Sequence, residues 1–352
     1  MLNLDSDRFY RDLWFFTLCL TYTGIPGKMS QMKIYIPNSV WLGNIDPFLQ
    51  SFKISDPERL EVTFHRQWFS VHPVVLCMIV ALGLNCKPEN IVFNDLEAKS
   101  KHYLERMGLF KILKMKSGIK IIEHDPSGRF IPITQITNAN ALSVFIENMI
   151  PLLHLEPEQT KPIRYILSEL ARNVFEHSQS EKGAILCAQY YKKSNTVRLG
   201  IVDAGVGIKK TIDSTYSTKD DIHAIQLALT PGITGTTKRI GGTADNMGAG
   251  LFFIKSIAKV NRDFFMIYSG DAMYKLLKTP VNRAVRLYAD PFRDKHSRGG
   301  GFPRWQGTVV GVDLSLDSRR EFNELLSAID VIIRKTIKEK KKQFYKRRAI
   351  FI

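Results

Sequence analysis

The sequence has 352 residues, of which 44% are hydrophobic and 24% are charged. This balance is typical of globular proteins and excludes disordered and collagen-like chains. The four cysteines lie far apart and include no C-x-x-C pair, which argues against a zinc knuckle, a redox dithiol or a secreted disulfide framework. We therefore expect two domains and a location in the reducing cytoplasm.

The net charge is +16, from 50 Lys and Arg against 34 Asp and Glu. Half of this excess lies in residues 331–352, which hold nine basic residues and one Glu. We expect residues 321–352 to form a basic helical tail. Such a surface suits nucleic acid, an anionic membrane or an acidic protein, and a solvated terminal helix is the alternative.

Residues 1–31 are predicted to be an appendage. The apolar stretch 13–20 is shorter than the ~20 residues that a spanning helix needs. Its flank contains Asp5, Asp7 and Asp12, unlike the basic start of a signal peptide. A regular strand is expected only afterwards, at 33–37.

Residues 32–128 alternate strand-like and helix-like patterns. Strands are predicted at 60–65 and 90–93 and helices at 73–84 and 98–113, which indicates a small α/β domain ending at the turn cluster 125–128. This order and the helix at 98–113 resemble STAS-type domains, the fold of anti-sigma-factor antagonists. Asn94, Asp95 and Leu96 stand where such antagonists carry a phosphorylatable Asp-Ser pair, so the resemblance does not imply regulation by serine phosphorylation.

Residues 129–320 are predicted to form a second α/β domain. The expected elements are helices at 139–153, 158–178 and 251–260, and strands at 184–191, 196–203, 263–269 and 308–316. Between them lies a long Gly- and Thr-rich stretch, of which 209–247 is expected to act as a lid. The run 298–301 is expected to be a hairpin loop or small insertion.

Three polar residues recur at a spacing of four on the helix predicted at 158–178. Glu169, Asn173 and His177 share one face of that helix, while an apolar stripe docks the other face. The Asn oxygen is a hard neutral ligand for a divalent cation, and the Glu can polarise a water held by the metal. A solvated helix surface is the alternative for this pattern on its own.

A second cluster follows the strand at 196–203. Asp203 stands at the carboxyl end of that strand, where its carboxylate can accept a hydrogen bond from an exocyclic amine such as adenine N6. Gly205 and Gly207 allow a tight turn and a close approach to a flat ligand. A plain glycine turn is the alternative.

A third cluster opens the helix at 251–260. Gly248 and Gly250 precede Leu251, and free amides at a helix start favour an anion. Each cluster alone is a weak signal. Together, E-x-x-x-N-x-x-x-H, then D-x-G-x-G 30 positions after the Asn, then G-x-G-L-F 45 positions later, resemble the nucleotide-binding boxes of the GHKL ATPase superfamily.

The resemblance covers about residues 130–316 and implies a two-layer α/β sandwich of the GHKL type that binds ATP and Mg²⁺. It implies that Asp203 binds the adenine amine, that Gly205 and Gly207 line the base, and that Thr308 helps to hold adenine through water. The histidine-kinase-like and anti-sigma-factor-kinase-like branch is the most similar. No dimerisation hairpin precedes the domain, and His154 is interpreted as structural.

On the phosphate side, the resemblance implies that Asn173 coordinates Mg²⁺ and that Gly248 and Gly250, with Leu251, contact the phosphates. Glu169 would activate water or an acceptor hydroxyl, and His177 would be a second catalytic residue near the phosphates.

The sequence therefore predicts a signalling ATPase or kinase that hydrolyses ATP or transfers its γ-phosphate to a protein partner. A non-catalytic ATP-dependent switch is a second reading, and a nucleic-acid effector that uses the basic tail is a third. The acceptor, the partner and self-association stay open.

Overall fold

The computed structural model describes residues 30–51, 58–66, 69–96, 98–118, 130–237, 248–316 and 322–348. The predicted appendage, apart from its last two residues, and the predicted boundary at 125–128 lie outside these ranges. Residues 31–352 group into one compact unit. No helix within the described ranges combines the length and apolar character that crossing a membrane requires.

The first region is built on a small parallel sheet. Its strands β1 (Gln31–Ile36), β3 (Arg59–Phe64) and β5 (Ile91–Asn94) lie in the order β1-β3-β5, and the two-residue strands β2 (Ser39–Val40) and β4 (Ser70–Val71) pair separately. Its helices are α1 (Asp46–Gln50), α2 (Pro73–Gly83), α3 (Ala98–Arg106) and α4 (Leu109–Ile112).

The single helix predicted at 98–113 is wrong. It is broken between α3 and α4 because Gly108 has φ +78°, in the left-handed region that an α-helix cannot include.

The second region is built on a seven-stranded antiparallel sheet. Its strands are β6 (Phe130–Ile136), β7 (Ala184–Tyr191), β8 (Thr196–Asp203), β9 (Phe265–Gly270), β10 (Ala272–Leu276), β11 (His296–Gly299) and β12 (Trp305–Ser315). They lie in the order β11-β10-β9-β12-β8-β7-β6. The strands predicted at 184–191 and 196–203 are confirmed with those bounds.

Helices cover one face of this sheet. They are α5 (Ala139–Met149), α6 (Pro157–Asn173), α7 (Gly207–Asp213), α8 (Asp221–Ala228), α9 (Gly250–Val260) and α10 (Phe322–Arg348). The second core contains alternate sheet residues such as Leu186 and Ile201 together with these helices. The α/β class expected from the sequence is therefore present.

The opposite face of the sheet packs against α2. Ile185, Cys187 and Val202 alternate with the residues of the first face and belong to the core that also contains the N-terminal region. Gly200 permits this close approach, because a Cβ there would overlap the backbone of Val74 in α2. Both faces of β7 and β8 are thus buried. Every residue of α2 is buried as well, which agrees with its unbroken apolar sequence.

The C-terminal helix is an integral part of this core. Leu325, Ile329 and Ile333 on α10 are buried against the second core, while exposed lysines follow further along the helix. The aromatic ring of Phe322 at its start lies edge-on to Tyr165, with ring centroids 6.0 Å apart. The first half of the predicted basic tail is therefore a packing element.

Replacing Ile333 with Ala is expected to lower the free energy of unfolding by about 2–5 kcal/mol, because it leaves a cavity at a fully buried position. Val331→Ala is the matched control, since Val331 lies on the same helix and is 65% exposed; it should change stability by about 0.5 kcal/mol or less. Urea unfolding measures both. Equal effects would contradict the packing of α10.

Candidate functional site

The three sequence clusters meet in one cleft of about 250 Å³ on the helical face of the large sheet. Its walls come from α6, the end of β8, α7, the loop at 233–235, the start of α9 and β12. Nine of the ten predicted site residues line it: Glu169, Asn173, His177, Asp203, Gly207, Gly248, Gly250, Leu251 and Thr308. Gly205 does not line the cleft, but its backbone N–H donates a hydrogen bond to Asp203.

Asp203 is a buried carboxylate at the end of β8, only 3% exposed. Its Oδ1 accepts a hydrogen bond from the Gly205 N–H at 2.8 Å, and Thr308 lies opposite it in the β8–β12 ladder and also hydrogen-bonds to it. Burial raises the pKa of Asp203 to about 7, and the bonds from Gly205 and Thr308 offset only part of that rise. The cleft therefore holds a hydrogen-bonding group that titrates near neutrality.

The raised pKa of Asp203 predicts the direction in which stability changes with pH. Between the unfolded pKa of about 3.9 and the folded pKa of about 7, the folded protein binds a proton that the unfolded chain does not. The contribution of Asp203 to stability is therefore full below about pH 4, falls steadily as the pH rises and is lost once the pH has passed about 7. Urea unfolding at pH 5 and pH 8 should show wild type losing stability relative to Asp203→Asn; a difference independent of pH would contradict the assignment.

The glycine loop after Asp203 is pressed against the end of the helix that carries Asn173. The Val206 N–H donates to the Ser178 carbonyl at 2.7 Å, and a Cβ on Gly205 would overlap that carbonyl. Gly207 has φ +79°, which favours glycine. Glycine is required at position 205 because the loop and the helix end touch through their backbones, and it is favoured at position 207 by the left-handed φ.

The helix predicted at 158–178 is α-helical only to Asn173. Residues Val174–Ser178 form a π-helical turn, so the regular spacing of four that was expected to align His177 with Asn173 is interrupted. His177 still lines the cleft, and burial lowers its pKa while the neighbouring Glu176 raises it in part. Wide turns of this kind occur frequently at functional sites.

Asn173 supplies an incompletely satisfied polar group. Its side chain lines the cleft, and its Nδ2 is buried without a hydrogen-bond partner among the described residues. An unpaired buried amide costs free energy, so it favours a polar ligand in the cleft.

Glu169 and the start of α9 are in close contact. A Cβ on Gly250 would overlap the Glu169 carboxylate, so a larger residue at this position would require the carboxylate to move. Glu169 is 15% exposed and forms an ion pair with Arg172 on the same helix. Gly248 has φ +62° and its carbonyl accepts from the Gly232 N–H at 3.1 Å, which holds the loop before α9 against the segment after α8.

The predicted lid at 209–247 is largely wrong. Its first part forms α7 and α8, and Ile212, Ala224 and Ile225 of these helices are buried in the second core. Residues 238–247, which include Gly241 and Gly242, lie outside the described residues. Low hydrophobic periodicity hid α8, although Asp220 caps it by accepting from the His223 N–H at 2.8 Å.

The motifs also missed several residues that line the cleft. Tyr165 lies one turn before Glu169, so the spacing of four extended backwards is a signal that could have identified it. Its ring packs edge-on to Phe253, with centroids 5.8 Å apart, and burial raises its pKa to about 12. Arg172, Thr211, Ile233, Thr234 and Gly235 are further lining residues without a sequence signal of their own.

No protein-family model matches the chain, and no curated protein matches it. The site must therefore be judged on its own residues.

Proposed function

We propose that the chain binds Mg-ATP in this cleft, in the manner of GHKL proteins, and hydrolyses it or transfers its γ-phosphate. The observation that carries the proposal is the convergence of three motifs, spaced 30 and 45 residues apart, on one cleft. A chance set of surface motifs would have no reason to share a cleft. Each also supplies a different chemical group that a nucleotide requires.

The donor set fits a nucleotide and a divalent cation. The ionised Asp203 carboxylate would accept the adenine N6 amine, with Thr308 beside it in the adjoining strand. The Asn173 side chain lines the cleft, where its Oδ1 would be a hard ligand for Mg²⁺ that neutralises phosphate charge, and its unpaired Nδ2 would donate to a phosphate oxygen. The first backbone N–H groups of α9, which begins at Gly250 shortly after Gly248, would hold phosphate oxygens.

Glu169 is the residue best placed to orient a nucleophile and accept its proton. It is a largely buried carboxylate in the same cleft as Asn173 and Gly250. His177 lines the same cleft, and its lowered pKa keeps it neutral at physiological pH, when an imidazole can both accept and donate a hydrogen bond. Positioning and charge neutralisation are the main requirements of phosphoryl transfer.

The ion pair between Glu169 and Arg172 favours a second candidate, an ATP-dependent switch without turnover. While the guanidinium holds the carboxylate, Glu169 is less free to reach a nucleophile in the cleft. In either case the N-terminal region, which we propose to be STAS-like, would serve as a partner-binding or self-regulating module.

The test is to incubate the full chain with Mg²⁺ and γ-phosphate-labelled ATP, beside Asp203→Asn and Glu169→Gln variants. Label released as free phosphate, or transferred to protein, and lost in both variants would support turnover and separate an ATPase from a kinase. Bound ATP that keeps its label would favour the switch. Failure of the wild type to bind ATP at all would contradict the proposal.

A further inference from the structure

The segment between β10 and β12, residues 277–304, includes β11 and carries a concentrated positive charge; we call it the insert. It contains seven Lys and Arg against two Asp, a net charge of +5. All seven cations are exposed. Within the described chain, five of them form no ion pair with a carboxylate: Arg283, Arg286, Arg293, Lys295 and Arg298.

The acidic groups of the insert are used internally. Asp294 is fully buried and forms ion pairs with Lys255 at 2.5 Å and Lys259 at 3.5 Å, both on α9. Asp290 accepts hydrogen bonds from the Gln226 side chain and the Phe292 N–H, each at 3.0 Å. The carboxylates therefore fix the insert to the body of the protein and leave five of its seven cations without an acidic partner in the described chain.

Further contacts hold the irregular part of the insert in one conformation. The Arg262 guanidinium donates to the carbonyls of Thr279 at 3.3 Å and Arg283 at 2.9 Å. The Tyr274 hydroxyl donates to the Pro291 carbonyl at 3.0 Å. The positive surface is consequently anchored, and a ligand would not have to order it before binding.

A groove of about 510 Å³ runs between this insert and the start of α8. Its walls include Lys219, His223, Phe292, Arg298, Gly299 and Gly300. Asp220 is also present in the groove, where it is engaged as the cap of α8. Cations from two separate elements thus face one groove, which suits a phosphate chain between them.

Two of the arginines lie over aromatic rings. The Arg298 guanidinium lies 3.8 Å from the centroid of Phe292, and the Arg293 guanidinium lies 4.6 Å from that of Tyr288. Stacking presents the planar fork of donors in a fixed orientation that matches phosphate oxygens. Five of the seven cations are Arg, the residue better suited to that geometry.

The small amount of exposed apolar surface on the insert favours a nucleic acid over a protein as the partner. Of the large hydrophobic residues in residues 277–304, all of which the structure describes, Val281 alone is exposed, at 88%. Protein interfaces usually bury an apolar centre, whereas nucleic-acid interfaces are polar and strongly positive. We propose that residues 277–304, with Lys219, form a docking surface for the phosphodiester backbone of a nucleic acid. This inference does not depend on ATP binding in the cleft.

The test measures binding of fluorescein-labelled 20-nucleotide single strands and a 20-base-pair duplex by fluorescence anisotropy, from 50 to 300 mM NaCl. The variant Arg283→Gln/Arg286→Gln/Arg293→Gln/Arg298→Gln removes four charges from the insert. The matched control, Lys335→Gln/Lys338→Gln/Lys341→Gln/Lys342→Gln, removes four exposed charges from α10. We expect the insert variant to lose about tenfold or more in affinity, and the slope of log affinity against log salt to fall in magnitude by about 3. The control should lose less than about threefold.

Equal losses in the two variants would overturn the proposal, since net charge alone would then explain binding. Absence of wild-type binding, or equally tight binding of polyglutamate, would overturn it as well, the latter in favour of an acidic protein partner. Thermal unfolding checks the fold of each variant. Should the fourfold variant unfold, Arg283→Gln/Arg286→Gln, which leaves the stacked pairs intact, is expected to give about half of the change in salt slope.

Discussion

Replacing Glu169 with Gln is expected to reduce ATP turnover by about 10²–10⁴-fold, the range that a positioned general base contributes. Gln keeps the size and hydrogen-bonding shape of Glu but cannot take a proton at neutral pH. Affinity for Mg-ATP should change by less than about threefold, because binding is assigned to Asp203, Asn173 and the start of α9. Released phosphate and equilibrium binding, measured on the same preparation, separate the two effects.

The matched control for this change is Glu158→Gln. Glu158 lies on the same helix, is exposed, and pairs with Lys161 away from the cleft. It should leave turnover within about twofold of wild type, as surface changes usually do. Unchanged turnover in Glu169→Gln would remove Glu169 from the mechanism while leaving nucleotide binding untouched.

Replacing Asp203 with Asn is expected to weaken ATP binding by about 10–150-fold, which corresponds to the ~1.5–3 kcal/mol of a hydrogen bond to a charged group. The Gly205 N–H donates to Oδ1 and Thr308 also hydrogen-bonds to the carboxylate, so the adenine amine would approach Oδ2, the oxygen that Gly205 does not bind. In Asn that second atom becomes an NH₂ donor, which opposes the N6 amine. Asp330→Asn on α10 is the control, and equilibrium titration with Mg-ATP gives both affinities.

Affinity should also rise between pH 6 and pH 8 in wild type, because the acceptor form of Asp203 accumulates as the pH passes about 7. The nucleotide titrates in the same range, and its effect is common to wild type and Asp203→Asn. The ratio of the two affinities therefore isolates the carboxylate. Equal affinities of wild type and Asp203→Asn at all pH values would contradict the adenine contact.

The regular parts of the fold were predictable because their apolar residues are continuous or alternate cleanly. Strands β7 and β8 and the buried helix α2 show such patterns and lie within a residue of their expected bounds. The break at Gly108 was harder to foresee, since an isolated glycine is compatible with a helix until its φ is known. The packing of α10 was not predicted, because its many charged residues mask the apolar period of Leu325, Ile329 and Ile333, which pack into the core.

The sequence predicted which residues belong to the site better than it predicted their conformation. The spacing of the motif residues indicated which positions belong together, and nine of the ten lie around one cleft. The residue spacing gives no signal for the π-helical turn after Asn173, which ends at Ser178, where the carbonyl accepts from the Val206 N–H of the glycine loop. The ion pair between Glu169 and Arg172 and the aromatic contact between Tyr165 and Phe253 likewise arise from tertiary packing.

The central claim is that the cleft recognises Mg-ATP through Asp203, and competition between ATP and GTP tests it most directly. Adenine presents an amine donor at position 6, whereas guanine presents a carbonyl acceptor, which an ionised carboxylate repels. Isothermal titration calorimetry of the full chain with the magnesium complex of each nucleotide should show ATP binding at least about tenfold more tightly than GTP. Asp203→Asn should narrow that difference. Equal affinity of the wild type for the two nucleotides, or no binding of either, would contradict the account.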